Sequence, residues 1–80
     1  MRECFIIVHR NYAEGMTAYA FLNEDDAKKN VKEDVEATIK SLAEEGHDPT
    51  VLWNNWDSVE IYVADSNIFY EWEIIISQIR

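Results

Sequence analysis

The sequence has few of the residues that stabilise small proteins covalently or allow unusual backbone conformations. Its 80 residues include one cysteine, two glycines and one proline. Cys4 cannot form a disulfide within the chain, and two glycines are too few for a glycine-rich phosphate-binding loop. No apolar run has membrane-spanning length, and no signal-peptide pattern follows Met1. We therefore expect a cytoplasmic protein without a disulfide framework.

Basic residues are also scarce. Seven lysines and arginines stand against sixteen aspartates and glutamates, which makes the formal net charge −9. From Ser41 to Ile79 no basic residue offsets the acidic ones. A charge of this size repels nucleic acids and anionic membranes, and it attracts basic proteins at a rate that falls with added salt. We therefore expect no direct binding to nucleic acid or to membranes, and a basic protein as the partner.

The composition nevertheless indicates a folded protein. Hydrophobic residues make up 48% of the chain and aromatic residues 12%, which is too much for a disordered acidic tail. A chain of this length forms one small domain, so we predict a single domain over residues 1–80. It offers little concave pocket in which catalytic groups could be desolvated, and we expect no enzymatic activity.

Hydrophobic patterns predict five strands. The first two are "ECFIIVHR" and "MTAYAFL", separated by the turn "NYAEG". Ala18 and Ala20 share one side of the second strand, and we expect a helix to pack closely there. Further on, "TVLW", "SVEIYVAD" and "IFYEWEIIIS" predict three more strands. The last segment also fits a helical period, but its β-branched and aromatic residues favour a strand.

Between these strands, "NEDDAKKNVKEDVEATIKSLAEEG" predicts a long amphipathic helix. Asn23 is suited to cap its beginning, acidic residues fill its first turn, and Gly46 is suited to end it. Apolar residues recur at three- and four-residue steps and form the predicted buried stripe. The sequence therefore predicts an α+β fold of order β-β-α-β-β-β, with one long helix packed on one face of an antiparallel sheet of four to five strands.

The uncovered face of this sheet is the candidate site, because it combines carboxylates with aromatic residues. Alternation puts Glu71 and Glu73 on one side of the last strand, about 7 Å apart like backbone phosphates. The candidate partner-binding residues are Asp57, Glu60, Tyr62, Asp65, Phe69, Glu71 and Glu73. Two explanations stay open: the acids keep aromatic strands soluble, or they form an acidic, nucleic-acid-like surface that binds a basic partner with Tyr62 and Phe69 as anchors.

Other chemistry is sparse. Cys4 and His9 are an odd number of residues apart on one strand and therefore point to opposite faces, which argues against a thiolate–imidazole pair. His47 follows the helix, and its spacing from the other two does not form a metal site, so no metal or cofactor is expected. The segment "WNNW" is either a turn whose indoles fold onto the core or the lining of a small-ligand groove.

The segments "AFLNEDDAKKN" and "YEWEIII", together with the opening strand, resemble small acidic proteins of phages and mobile elements. The resemblance is to the anti-defence type, such as anti-CRISPR and anti-restriction proteins. It implies a phage-encoded inhibitor in the host cytoplasm that binds a host defence protein stoichiometrically. The alternative is a small structural or regulatory module that forms a homodimer and buries Trp53, Trp56 or Phe69 in a twofold interface.

Overall fold

The computed structural model describes residues 2–13, 15–54, 57–64 and 66–79. The elements are β1 (Arg2–Asn11), β2 (Gly15–Phe21), α1 (Glu24–Glu44), β3 (Thr50–Asn54), β4 (Ser58–Tyr62) and β5 (Phe69–Ile79). All five strands join one antiparallel sheet of order β2-β1-β5-β4-β3. The predicted α+β fold is confirmed, and β5 is a strand rather than a helix.

Local signals define both ends of α1. The Asn23 side chain accepts hydrogen bonds from the backbone N–H of Asp25 at 2.8 Å and of Asp26 at 3.2 Å, which satisfies two groups that have no partner within the helix. Gly46 has φ +86°, a left-handed conformation that stops the helix after Glu44. The predicted helix boundaries are therefore confirmed.

The core lies between α1 and one face of the sheet. The helix contributes the predicted stripe of Ala27, Val31, Val35 and Leu42. The sheet contributes Phe5, Ile7, Val59, Ile61, Val63 and Trp72. Trp72, only 1% exposed, is the largest of the fully buried side chains. Since one helix covers one face, the opposite face, hereafter the open face, lies under no element of the described ranges.

Strand β2 is oriented opposite to the prediction. Its register pairs Tyr19 with the buried Ile7 of β1, which puts Tyr19 on the helix side. Phe21, on the same side, packs against the core, whereas Ala18 and Ala20 lie exposed on the open face. The alanine side was wrongly expected to receive the helix, because the parity of pairing with β1 decides which side of β2 is covered.

The longest pairing in the sheet is between β1 and β5, from Arg2 opposite Ile79 to Asn11 opposite Tyr70. The molecule is accordingly elongated, with extents of 46 × 21 × 18 Å. Over the part of the chain that is described, no helix has the length and apolar character needed to cross a membrane.

Candidate partner-binding site on the open face

The sheet register brings the three strand carboxylates together. Glu60 of β4 lies directly opposite Glu71 of β5, and Glu73 follows two residues along β5. Neighbouring strands are about 4.8 Å apart, and residues two apart on a strand are separated by about 7 Å. All three carboxylates thus lie at neighbouring positions of the open face, and the predicted placement of Glu71 and Glu73 on one side is confirmed.

Arg10 changes the charge of this cluster. It lies opposite Glu71 on β1, and its Nη1 donates to Glu71 Oε1 and lies 3.6 Å from Glu73 Oε2. No basic residue lies between Ser41 and Ile79 in the sequence, but the sheet places β1 beside β5 and so brings Arg10 to Glu71, 61 positions away. The guanidinium contacts two of the three carboxylates, so the cluster is still negative but is not a continuous row of free charges.

Glu60 is the carboxylate with the least compensation. Its side chain is exposed, and within the described residues no cation pairs with it. Like charges directly opposite each other on neighbouring strands destabilise a sheet, and Glu60 faces Glu71 in this way. Water screens this repulsion in the free protein, and a cation supplied by a partner would remove it.

Apolar side chains border the carboxylates. Tyr62 lies directly opposite Phe69 at one end of the face, and these residues are 41% and 49% exposed. Leu52, Ile75 and Met16 are exposed on the same face, by the alternation of β3, β5 and β2. Exposed aromatic and aliphatic side chains next to charged groups are typical of surfaces that bind another protein.

Asp57, one of the two predicted turn aspartates, does not join this cluster. Asp57 is exposed in the turn before β4 and lies near the beginning of α1. There the pKa of the Lys28 ammonium is raised, mainly by its hydrogen bond and charge interaction with Glu24 and more weakly by Asp57. Asp57 is therefore close to the start of the helix, and Asp65 lies outside the described residues.

The helix side carries an aromatic cluster that the sequence did not predict. His9 stacks on Trp72 with ring centroids 4.6 Å apart, and Tyr12 contacts Tyr70 edge-on at 5.7 Å. His9 Nδ1 donates to the Glu71 backbone carbonyl at 3.1 Å. Part of this cluster could have been predicted, because strand alternation puts Tyr70 and Trp72 on one side of β5. Their contacts with His9 could not, because they depend on the register between β1 and β5.

This cluster also connects the sheet to the helix. Trp72 Nε1 donates to Asp34 Oδ2 at 3.0 Å. Next to this contact, Tyr19 and Phe21 of β2 and Glu33 of α1 line an open cleft of about 400 Å³. Because the Asp34 carboxylate already accepts from Trp72, we regard this contact as structural rather than catalytic.

The remaining candidates do not form a site. Cys4 lies across from Ser77 in the β1–β5 register, and its side chain is on the other face of the sheet from His9, as predicted. His47 Nε2 lies 3.9 Å from Glu45 Oε2. In the ranges that the structure covers, no three His, Cys, Asp or Glu side chains are grouped so that they could hold a metal ion.

Half of the "WNNW" segment can be placed. Trp53 belongs to β3 opposite Val59 and is 44% exposed, so its indole is only partly packed onto the core. Asn55 and Trp56 lie outside the described residues. The turn and the ligand groove therefore both stay predictions for this segment.

No protein-family model, curated protein or solved structure matches this chain. The functional conclusion therefore depends on the chemistry of the described surface. On that surface the open face combines the carboxylate cluster with exposed aromatic residues, and it is the candidate site developed below.

Proposed function

We propose that this protein is a non-catalytic inhibitor that binds a basic surface of another protein through its open face. The observation that carries the proposal is that Glu60 lies opposite Glu71 beside the exposed Tyr62–Phe69 pair. Apolar anchors supply most of the binding energy of protein interfaces, whereas charges around them orient the partner and speed association. Both kinds of group are present on this face.

Arg10 gives the face a defined geometry. By pairing with Glu71 and lying near Glu73, it holds two carboxylates in place before a partner arrives. Such preorganisation lowers the entropy lost on binding. The exposed Glu60 is then the first carboxylate available to an arginine or lysine of the partner, and the net charge of −9 attracts a basic protein over a longer range.

The partner class that fits these features is a nucleic-acid-processing protein with a basic binding surface. Carboxylates about 7 Å apart along β5 match the spacing of backbone phosphates roughly, which supports a nucleic-acid-like decoy. Arg10 neutralises part of the charge of this carboxylate cluster. Acidic contacts alone are therefore not the whole interface, and the exposed apolar residues contribute to it. The resemblance to phage anti-defence proteins supports a host defence protein as the target, in the host cytoplasm.

Affinity capture of the tagged protein from lysate of its native host tests the proposal. We expect a basic nucleic-acid-processing protein that elutes as salt rises, because salt screens exposed charges. Purified target should then lose binding when duplex DNA or RNA competes for the same surface. Capture of a neutral partner that resists salt, or a target indifferent to nucleic acid, would contradict the decoy mechanism.

Matched variants test which face binds. Replacing Glu60, Glu71 and Glu73 with glutamine removes three charges from the open face, and we expect binding of the captured target to fall at least about tenfold, since close charge pairs contribute more than 1.4 kcal/mol. The control replaces Glu33, Glu36 and Glu44 of α1, which changes the net charge equally. If the α1 variant loses binding and the open-face variant keeps it, the helix face is the interface.

The apolar contribution needs its own pair of variants. Phe69→Ala removes an exposed aromatic side chain from the open face, and Ile76→Ala removes a 60% exposed apolar side chain from the helix side of β5. We expect only Phe69→Ala to weaken the target complex, because anchors at an interface are buried on binding. Equal effects would show that the aromatic residue is not an anchor.

A further inference from the structure

Strand β2 is an unprotected edge of the sheet. It stands last in the strand order, and six of its seven residues from Gly15 to Phe21 are exposed. Its sequence GMTAYAF contains no charged residue and no proline. Natural edge strands are usually shielded by charges, proline, bulges or a covering element, because their free backbone groups pair with other strands. This edge is therefore suited to pairing with a further strand.

We propose that β2 pairs antiparallel with β2 of a second copy of this chain, about a twofold axis through Ala18. Ala18 is the middle residue of the strand, so this register pairs all seven residues. Gly15 then lies opposite Phe21, Met16 opposite Ala20 and Thr17 opposite Tyr19. The two sheets become one continuous sheet of ten strands.

The sequence of β2 complements itself in this register. Each large side chain faces a small one across the axis, as Met16 does with Ala20, and Thr17 with Tyr19 is a β-branched and aromatic pair of the kind that stabilises sheets. Phe21 opposite Gly15 lets an aromatic ring cover a glycine. Seven facing residues also make roughly six to eight backbone hydrogen bonds.

The helix-covered faces of the two copies lie on the same side of the joined sheet. This follows because the residues that face each other across the β2–β2 pair are both odd-numbered or both even-numbered. Both helices lie on one side of the joined sheet, and the two open faces form one surface on the other. Met16, 66% exposed in the single chain, packs over Ala20 of the second copy. The pairing thus buries part of the apolar surface near the edge without covering the carboxylate cluster, which lies on β5 and β4, two and three strands away from β2.

Charge favours β2 over the other edge of the sheet. Pairing through β3 would place two Glu60 carboxylates without cation partners about three strand spacings apart, or roughly 14 Å, because β4 is the neighbour of β3. The neighbour of β2 is β1, whose open-face charge beside Met16 is Arg10. On the helix side, Glu33 lies 4.0 Å from Lys29 Nζ and Asp34 accepts from Trp72, so these acids have partners within the chain.

The interface is short, and this sets the expected behaviour of the dimer. One strand pair is at the low end of specific interfaces, near or below about 1,200 Å² of total buried area, so the dimer should be reversible and depend on concentration. Two chains of charge −9 repel each other, and salt screens that repulsion. Dimerisation should therefore strengthen as salt rises, whereas binding to a basic partner should weaken.

Sedimentation equilibrium over a concentration series, at about 0.05 and 0.5 M NaCl, tests the proposal. We expect a monomer–dimer equilibrium that favours the dimer more at the higher salt. Ala18→Lys puts two lysines directly opposite each other on an exposed position and should weaken the dimer by more than about tenfold. Ala43→Lys, an exposed helix position with the same charge change, should not.

A chain that stays monomeric, or a dimer equally weakened by both variants, would overturn the proposal. The far-UV circular dichroism spectrum of Ala18→Lys should match that of the unmodified chain, which shows that the variant is folded and that weaker dimerisation is not caused by unfolding. The register has its own test: Ala18→Cys with Cys4→Ser should form a disulfide-linked dimer on oxidation, because facing residues lie about 4.5–5.5 Å apart. Thr17→Cys with Cys4→Ser should not, and equal cross-linking would contradict this register.

The dimer and the proposed inhibitor function are independent. Replacing Glu60, Glu71 and Glu73 with glutamine should leave dimerisation intact, since these residues lie on β4 and β5. The Ala18→Lys variant, as a monomer, should still bind a basic target. Failure of either proposal is therefore recognisable without reference to the other.

Discussion

Replacing Asp34 with alanine should destabilise the protein, because this residue accepts the indole hydrogen bond that joins helix and sheet. Trp72 Nε1 donates to Asp34 Oδ2 at 3.0 Å, and Trp72 is 1% exposed. Leaving a buried N–H without a charged acceptor costs about 1.5–3 kcal/mol. Alanine is the better helix former by roughly 0.5 kcal/mol, so the net loss should be about 1–2.5 kcal/mol.

That loss is large for a chain of this size. Domains have an unfolding free energy of about 0.05–0.15 kcal/mol per residue, or roughly 4–12 kcal/mol for 80 residues. The corresponding fall in Tm is roughly 4–20 °C, since each kcal/mol shifts the Tm of a small domain by about 4–8 °C. Urea unfolding followed by circular dichroism measures the change in free energy, and thermal unfolding measures the change in Tm.

Three further variants separate the hydrogen bond from other effects. Asp34→Asn keeps an acceptor and should lose less than Asp34→Ala. Glu36→Ala truncates an exposed acid of the same helix and should change stability by less than about 0.5 kcal/mol. In a double-mutant cycle, Asp34→Ala should cost little when Trp72 is already phenylalanine. If Asp34→Ala costs no more than Glu36→Ala, or costs the same in both backgrounds, the hydrogen bond does not stabilise the fold.

Other expectations follow from single contacts. Asn23→Ala should lower the free energy of unfolding by about 1 kcal/mol in urea, because the helix loses its cap. Gly46→Ala should lower the free energy of unfolding by about 1–2 kcal/mol in the same assay, because alanine is strained at a φ of +86°. Steric clash adds nothing to this loss, since an added Cβ meets no atom within 4 Å. Arg10→Met should change stability by less than about 1 kcal/mol, because the pair is partly exposed. It should also raise the salt needed to elute a captured basic target, because the attraction from the uncompensated Glu71 and Glu73 outweighs the lost preorganisation; elution at unchanged or lower salt would contradict this expectation.

The sequence predicted those parts of the structure that depend only on residues close together along the chain. The helix ends follow from Asn23 and Gly46, whose effects act over one turn of backbone. The faces of β5 follow from simple alternation, which put Glu71 and Glu73 on one side and Trp72 on the other. Alternation along one strand needs no knowledge of the rest of the chain, and the α+β class follows from the order of such elements.

The properties of the candidate site depend on which strands become neighbours, and that was decided by the tertiary structure. Arg10 meets Glu71 only because β1 pairs with β5, and the same register stacks His9 on Trp72. The register of β2 also puts Tyr19, instead of the alanine side, on the helix side, and this has the same origin. Strand order and pairing parity are set by packing all elements around one core, so residues 60 positions apart acquire contacts that no local pattern records. The sequence by itself therefore determined the elements and which residues share a side of each strand, while the tertiary structure decided which side of β2 is covered, the charge of the open face and which strands form the edges.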